Sequence, residues 1–106
     1  MTIKTLDPVV VGGEQYEPVP AGQTAQTLGA NGGINDFLAR VIVSVETAAT
    51  SAVTVYDGLT EVFTVPANTP VGVYAIEVGV RAVSGAFNVT TGAGVSVLAI
   101  GQFKQL

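Results

Sequence analysis

The sequence predicts an all-β fold, a single-domain antiparallel β-sandwich of jelly-roll-like form, and three observations predict it. From Asp36 onward apolar and polar residues alternate with period two. Turn signals interrupt that alternation roughly every 8–12 residues, as in sandwiches and barrels. No segment shows a helical period, and Val, Thr, Ile and Tyr carry the strand positions. With 106 residues the chain is long enough for one core and too short for two. The sandwich is expected over residues 36–106, preceded by an extended N-terminal arm over residues 1–35.

The arm is set apart by its breakers. "TLDPVVVGGEQYEPVPAGQT" contains Pro8, Pro18 and Pro20 together with Gly12, Gly13 and Gly22. Proline donates no ladder hydrogen bond, which confines such a stretch to edge strands or irregular structure. "VVV" and "TAQTL" can supply short edge strands. Two readings stay open: the arm adds edges to its own sandwich, or it reaches a neighbouring subunit by strand addition. Its candidate subunit or capsid contacts are Val9, Val10, Val11, Tyr16, Pro18 and Pro20. Removing residues 1–22 separates the readings, weakening assembly more than folding only in the second.

"LGANGGINDFL" follows, with three glycines and two asparagines. A phosphate-cradling loop would need a helix after it, and commonly a lysine. Gly29, Gly32 and Gly33 match neither glycine fingerprint, and the next segment alternates as a strand. The stretch is a connector built from residues that tolerate left-handed backbone.

Six strands are then expected. In "LARVIVSVE", Ala39, Val41, Val43 and Val45 face one way, Arg40, Ser44 and Glu46 the other. "AVTVY" ends at Asp57-Gly58, a hairpin signal because glycine supplies positive φ. "LTEVFTV" returns, with Leu59, Glu61, Phe63 and Val65 expected on one face, and "PANTP" ends it. In "VGVYAIEVGVRAV", Tyr74, Ile76, Val78 and Val80 form an inward row, with Glu77, Gly79 and Arg81 outward. "AFNVTT" and "VSVLAIGQF" complete the set, separated by the turn "GAG".

Composition narrows the function classes. Charged residues are only 11% of the chain, against roughly 25% in ordinary soluble domains. A surface so short of charge is best kept in solution by burial in an assembly, which points to an oligomer or a particle component. The net charge of −4 and the scattered Lys4, Arg40, Arg81 and Lys104 argue against nucleic acid, which needs a clustered basic patch. The absence of histidine removes the commonest general base and the commonest transition-metal ligand together. The absence of cysteine excludes disulfides and thiolate metal sites. No signal-peptide core is read in "MTIKTLDPVVVGG", and no apolar run approaches the roughly 18 residues of a membrane helix.

The chemical candidates are thin. Asp57 and Glu61 flank a turn and could contribute to a calcium site, but the stretch lacks the acidic density that about six to eight oxygen ligands require. No motif gives a serine or threonine a base. Tyr16, Tyr56 and Tyr74 read as packing or interface aromatics, and Glu77 and Arg81 as partners of adjacent strands. No catalytic residue, cofactor or metal is expected, and the chain reads as a non-enzyme.

Residues 36–103 resemble short β-rich virion proteins of tailed bacteriophages. The likeness rests on a V-x-V-x-D-G hairpin at Val53, Val55, Asp57 and Gly58, and on a second hairpin at Gly85, Phe87, Val89, Thr90, Thr91 and Gly92. It ends on a last strand closing at Gly101 and Phe103. The resemblance implies a capsid decoration, or cement, protein made in the host cytoplasm. Such a protein binds the capsid exterior as a homotrimer, with the major capsid protein as partner. Other virion parts (tail, baseplate or head fibre) and a carbohydrate- or receptor-binding module are the alternatives.

Overall fold

The computed structural model describes residues 15–29, 32–47 and 51–103. All eight strands are antiparallel, and no helix occurs among the described residues. In chain order they are β1 (Gln15–Val19), β2 (Gln26–Thr27), β3 (Phe37–Val45), β4 (Val53–Asp57), β5 (Thr60–Val65), β6 (Gly72–Arg81), β7 (Phe87–Thr90) and β8 (Val95–Gln102). They form two four-stranded sheets, ordered β1-β8-β3-β6 and β2-β7-β4-β5. The pairing is nested: β4 lies with β5, β3 with β6, β2 with β7 and β1 with β8. Successive pairs fall in alternate sheets, and the β3–β8 and β4–β7 ladders tie them together.

The core follows from the alternation. In β3, β4, β7 and β8 every second residue is buried, because side chains on a strand take opposite faces in turn. Val41, Val43, Val97 and Ala99 from one sheet and Val53, Val55, Phe87 and Val89 from the other belong to one apolar cluster. Leu28 and Ala82, from connecting segments, and Phe103, just after β8, also belong to it. Full burial of each valine, leucine or phenylalanine contributes about 1.5–3 kcal/mol.

Among the described strands, bulges interrupt the pairing at three places. One sets Val78 and Gly79 of β6 opposite Ala39 alone without breaking the burial alternation of β6, whereas the other two depart from strict alternation. In β3, Leu38 pairs with Gly101 and Arg40 with Ile100, so Ala39 is an extra residue, and Leu38 and Ala39 are both buried. In β5, Val55 pairs with Phe63 but Tyr56 with Glu61, which leaves Val62 as the extra residue. The expected single face of Leu59, Glu61, Phe63 and Val65 is therefore broken. Val62, Phe63 and Val65 pack on the core, whereas Leu59 and Glu61 are exposed. A period-two pattern carries no mark of an inserted residue, which is why the sequence misplaces this face.

Within residues 1–35, β1 pairs with β8 and β2 with β7 of the same chain. Pro18 sits on β1, an outermost strand, where a missing N–H costs no ladder bond. The "LGANGGINDFL" stretch carries the chain from β2 in one sheet to β3 in the other, with Gly29 and Asn35 at positive φ.

Candidate functional site

Three connections meet at one end of the molecule: β2–β3, β4–β5 and β6–β7. The β4–β5 and β6–β7 connections are joined by Asp57, the last residue of β4 and buried. Its Oδ2 accepts the Val83 N–H at 3.0 Å, and its Oδ1 accepts those of Ser84 at 3.0 Å and Gly85 at 3.3 Å. Burial pushes the carboxyl pKa up, but the three backbone donors outweigh it and hold it below the ordinary aspartate value. The β4–β5 turn is Gly58-Leu59, with φ +62° at Gly58 and no positive φ at Leu59, the pattern of a type II′ hairpin. A Cβ on Gly85 would lie 3.2 Å from the Gly58 Cα, so glycine at both positions lets the two loops touch. Gly58 N–H also donates to the Ala86 carbonyl at 3.0 Å, and Asn88 Nδ2 to the Gly58 carbonyl at 3.0 Å.

The β2–β3 connection is fastened in the same way. Asp36 is buried, its Oδ2 accepts the Gly33 N–H at 2.9 Å, and its carbonyl accepts the Ala82 N–H at 2.8 Å. Asn35 N–H donates to the Ala82 carbonyl at 2.9 Å. On this fixed frame three aliphatic side chains point into solvent: Leu59 is 98% exposed, Val83 73% and Ile34 50%. Beside them lies an open depression of about 340 Å³ lined by Ala25, Tyr56, Gly58, Leu59, Asn88 and Thr90. The end thus combines hydrogen-bonded loops with apolar exposure, which suits contact with another molecule.

The opposite connection, between β1 and β2, is held by the β7 end. Thr91 is buried, its hydroxyl donates to the Pro20 carbonyl at 2.6 Å and accepts from the Gln23 N–H at 2.9 Å. Thr90 Oγ1 accepts the Ala25 N–H at 3.0 Å, and the Gly92 carbonyl accepts the Gly22 N–H at 3.1 Å.

The residues singled out from sequence fall as follows. Val9, Val10 and Val11 lie outside the described residues. Tyr16 is 66% exposed on β1 opposite Ile100, and Pro18 is exposed opposite Leu98. Pro20 is exposed, but its carbonyl is taken by Thr91. Asp57 and Glu61 turn to different partners, since Glu61 accepts from Thr64 Oγ1 at 2.7 Å. Among the described residues no three His, Cys, Asp or Glu side chains converge on a common point. Glu77 pairs across the ladder with Arg40 at 3.2 Å, while Arg81 donates to the Asn35 carbonyl at 3.0 Å and lies 5.9 Å from the Phe37 ring centre. An exposed pair of this kind contributes at most about 1 kcal/mol. No helix among the described residues is long and apolar enough to cross a membrane.

What sequence reasoning missed is the joint itself. Asp57 and the loop it caps lie 26–28 positions apart in the chain. The signal was present as one glycine-containing hairpin and one glycine-containing crossover, β6 to β7, with nothing local to show that they touch. No protein-family model, curated protein or solved structure matches the chain.

Proposed function

We propose that the chain is a capsid decoration protein of a tailed bacteriophage, a homotrimer that binds the outside of the assembled shell and stabilises it. The observation that carries the reading is the nested strand order, β1-β8-β3-β6 over β2-β7-β4-β5. We read it as a jelly-roll sandwich, two interleaved Greek keys, an architecture that viral capsid domains share with lectins. Because fold does not imply function, the reading also leans on the resemblance of the two motifs to phage virion proteins. The second motif, expected as a hairpin, instead runs along β7 between crossovers from and to the other sheet, and it meets the first through Asp57 and the β4–β7 ladder.

The mechanism is mechanical. A chain that binds the finished lattice but not its loose subunits stabilises that lattice by mass action. Three tethered contacts per trimer multiply a weak single contact into durable attachment. The end carrying the exposed Leu59, Val83 and Ile34 is the surface assigned to the shell. Mixing the purified protein with intact expanded capsids tests this: Leu59→Asp is expected to weaken attachment at least tenfold without lowering the melting temperature of the free protein. Unchanged attachment would move the shell contact elsewhere. Locating labelled density on the particle separates decoration from a tail, baseplate or head-fibre role.

A carbohydrate- or receptor-binding module is the second reading. The depression beside Tyr56 favours it, since an aromatic ring with the nearby Asn88 amide and Thr90 hydroxyl is the chemistry of a sugar subsite. Glycan binding lost in Tyr56→Ala, with capsid attachment absent, would establish it over decoration.

A further inference from the structure

We propose that three copies of this chain close around an axis through their β5–β6 sides, the edge of β6 in one copy lying against the edge of β5 in the next. The inference rests on the homotrimer reading above and assigns the joint that makes it.

The two long sides of the molecule are built differently. On one side the outermost strands are β1 and β2, of five and two residues, with Pro18 in the first. Short strands and proline are the usual protections of a sheet edge against further pairing. Val19 and Leu28 on that side are fully buried. On the other side the outermost strands are β5 and β6, of six and ten residues, and neither contains proline. Among the described strands nothing pairs with their outer edges. The inward row of β6, Tyr74, Ile76, Val78 and Val80, packs on the core yet stays only partly buried, and so do Phe63 and Val65 on β5. Among the described residues, all the partly buried members of the core belong to these two strands. The core is closed on one side and open on the other.

Edge chemistry and charge select a second copy as the occupant. With ten residues in β6, the strip is about 33 Å long; two layers set about 10 Å apart make it about 20 Å across, or roughly 650 Å². Each neighbour takes only half of that strip, about 330 Å² per partner, less than the roughly 800 Å² of a standard interface, and closure of the ring, which gives every copy two contacts, is what holds the assembly. A partner must bring an unpaired strand edge backed by apolar side chains, and the described surface offers that only in this same strip. Its halves differ, β5 in one sheet and β6 in the other, so a head-to-tail contact between them that closes into a ring, of three copies under the homotrimer reading, leaves no open strip. Glu61 is the one charged residue on β5, and Arg81 is the cation on β6, whose Glu77 is already paired with Arg40. The contact therefore opposes unlike charges.

Amide hydrogen exchange on the full chain, measured across its dissociation range in parallel with sedimentation, tests the joint. The expected result is a trimer in which amides of Thr60–Val65 and Gly72–Arg81 exchange at least tenfold more slowly than in the dissociated chain, while those of Gln15–Val19 do not change. Ile76→Lys supplies the monomeric reference: from a half-open position the lysine can extend its charge to water in the free subunit. In the joint that charge would be buried unpaired, so self-association should fall about a hundredfold or more. The folded state of the variant is read from its circular dichroism, and the exchange of the unsubstituted chain stands on its own if the variant does not fold. A trimer whose β5 and β6 amides exchange as fast as in the monomer overturns the joint and leaves the homotrimer reading intact. A two-fold pair, or amides equally protected at every concentration, also overturns it. A monomer throughout overturns both.

Discussion

Asp57 shows how one side chain can set the geometry of a whole end. Its three backbone partners would lose their acceptor in Asp57→Ala, and buried unsatisfied donors make this substitution costly, about 2–4 kcal/mol in urea unfolding. The sign of its pH dependence follows from its lowered pKa. A carboxylate with a folded-state pKa below its unfolded value contributes stability that is complete above about pH 4. That contribution is lost as pH falls from there toward the folded value, and Asp57→Asn should flatten this part of the stability profile. The glycines make a second set of residue-scale predictions. A Cβ on Gly101 would collide with the Phe37 carbonyl oxygen beside the β3 bulge, so Gly101→Ala should cost about 2–3 kcal/mol. Gly79 has φ +65° but nothing within 4 Å of its Cβ, so Gly79→Ala should cost only the backbone strain, about 1–2 kcal/mol. Equal losses at the two positions in thermal or urea unfolding would contradict this division.

At the scale of elements, the six strands from Phe37 to Gln102 were legible because burial on a strand has period two and the composition is strongly β-forming. The bulges at Ala39 and Val62 were not, since an inserted residue changes pairing without changing the local pattern. Strand order was out of reach for the same reason: β1 meets β8 across most of the chain, and nothing in either segment names the other. The exposed contact candidates Tyr16 and Pro18 were readable as residue types, whereas Leu59 was misassigned to a mixed face and emerges as the most exposed large aliphatic side chain among the described residues. The Thr91 bridge between Pro20 and Gln23 is another long-range feature hidden in a plain "VTTG". Thr91→Val keeps the shape and removes both hydrogen bonds, and is expected to cost about 1–3 kcal/mol. Deleting residues 1–22 takes away β1 and the fully buried Val19, so the chain should melt markedly lower. Deleting residues 1–14 leaves every described strand in place, and any loss of assembly with an unchanged melt would locate an assembly function there.

The whole molecule joins a valine-rich core, open along one side, to an exterior with few charges and one apolar end. Such a body is poorly matched to life as a free monomer, because both the open side and the apolar end favour association. The two features divide the work proposed for a decoration protein: the side joins copies, and the end meets the shell. The most direct measurement is sedimentation of the purified chain, alone and with expanded capsids, followed by the disruption temperature of the decorated particle. The expected result is a uniform homotrimer that travels with the capsids and raises that temperature. A monomer that stays in the supernatant and leaves the capsids unchanged would contradict it.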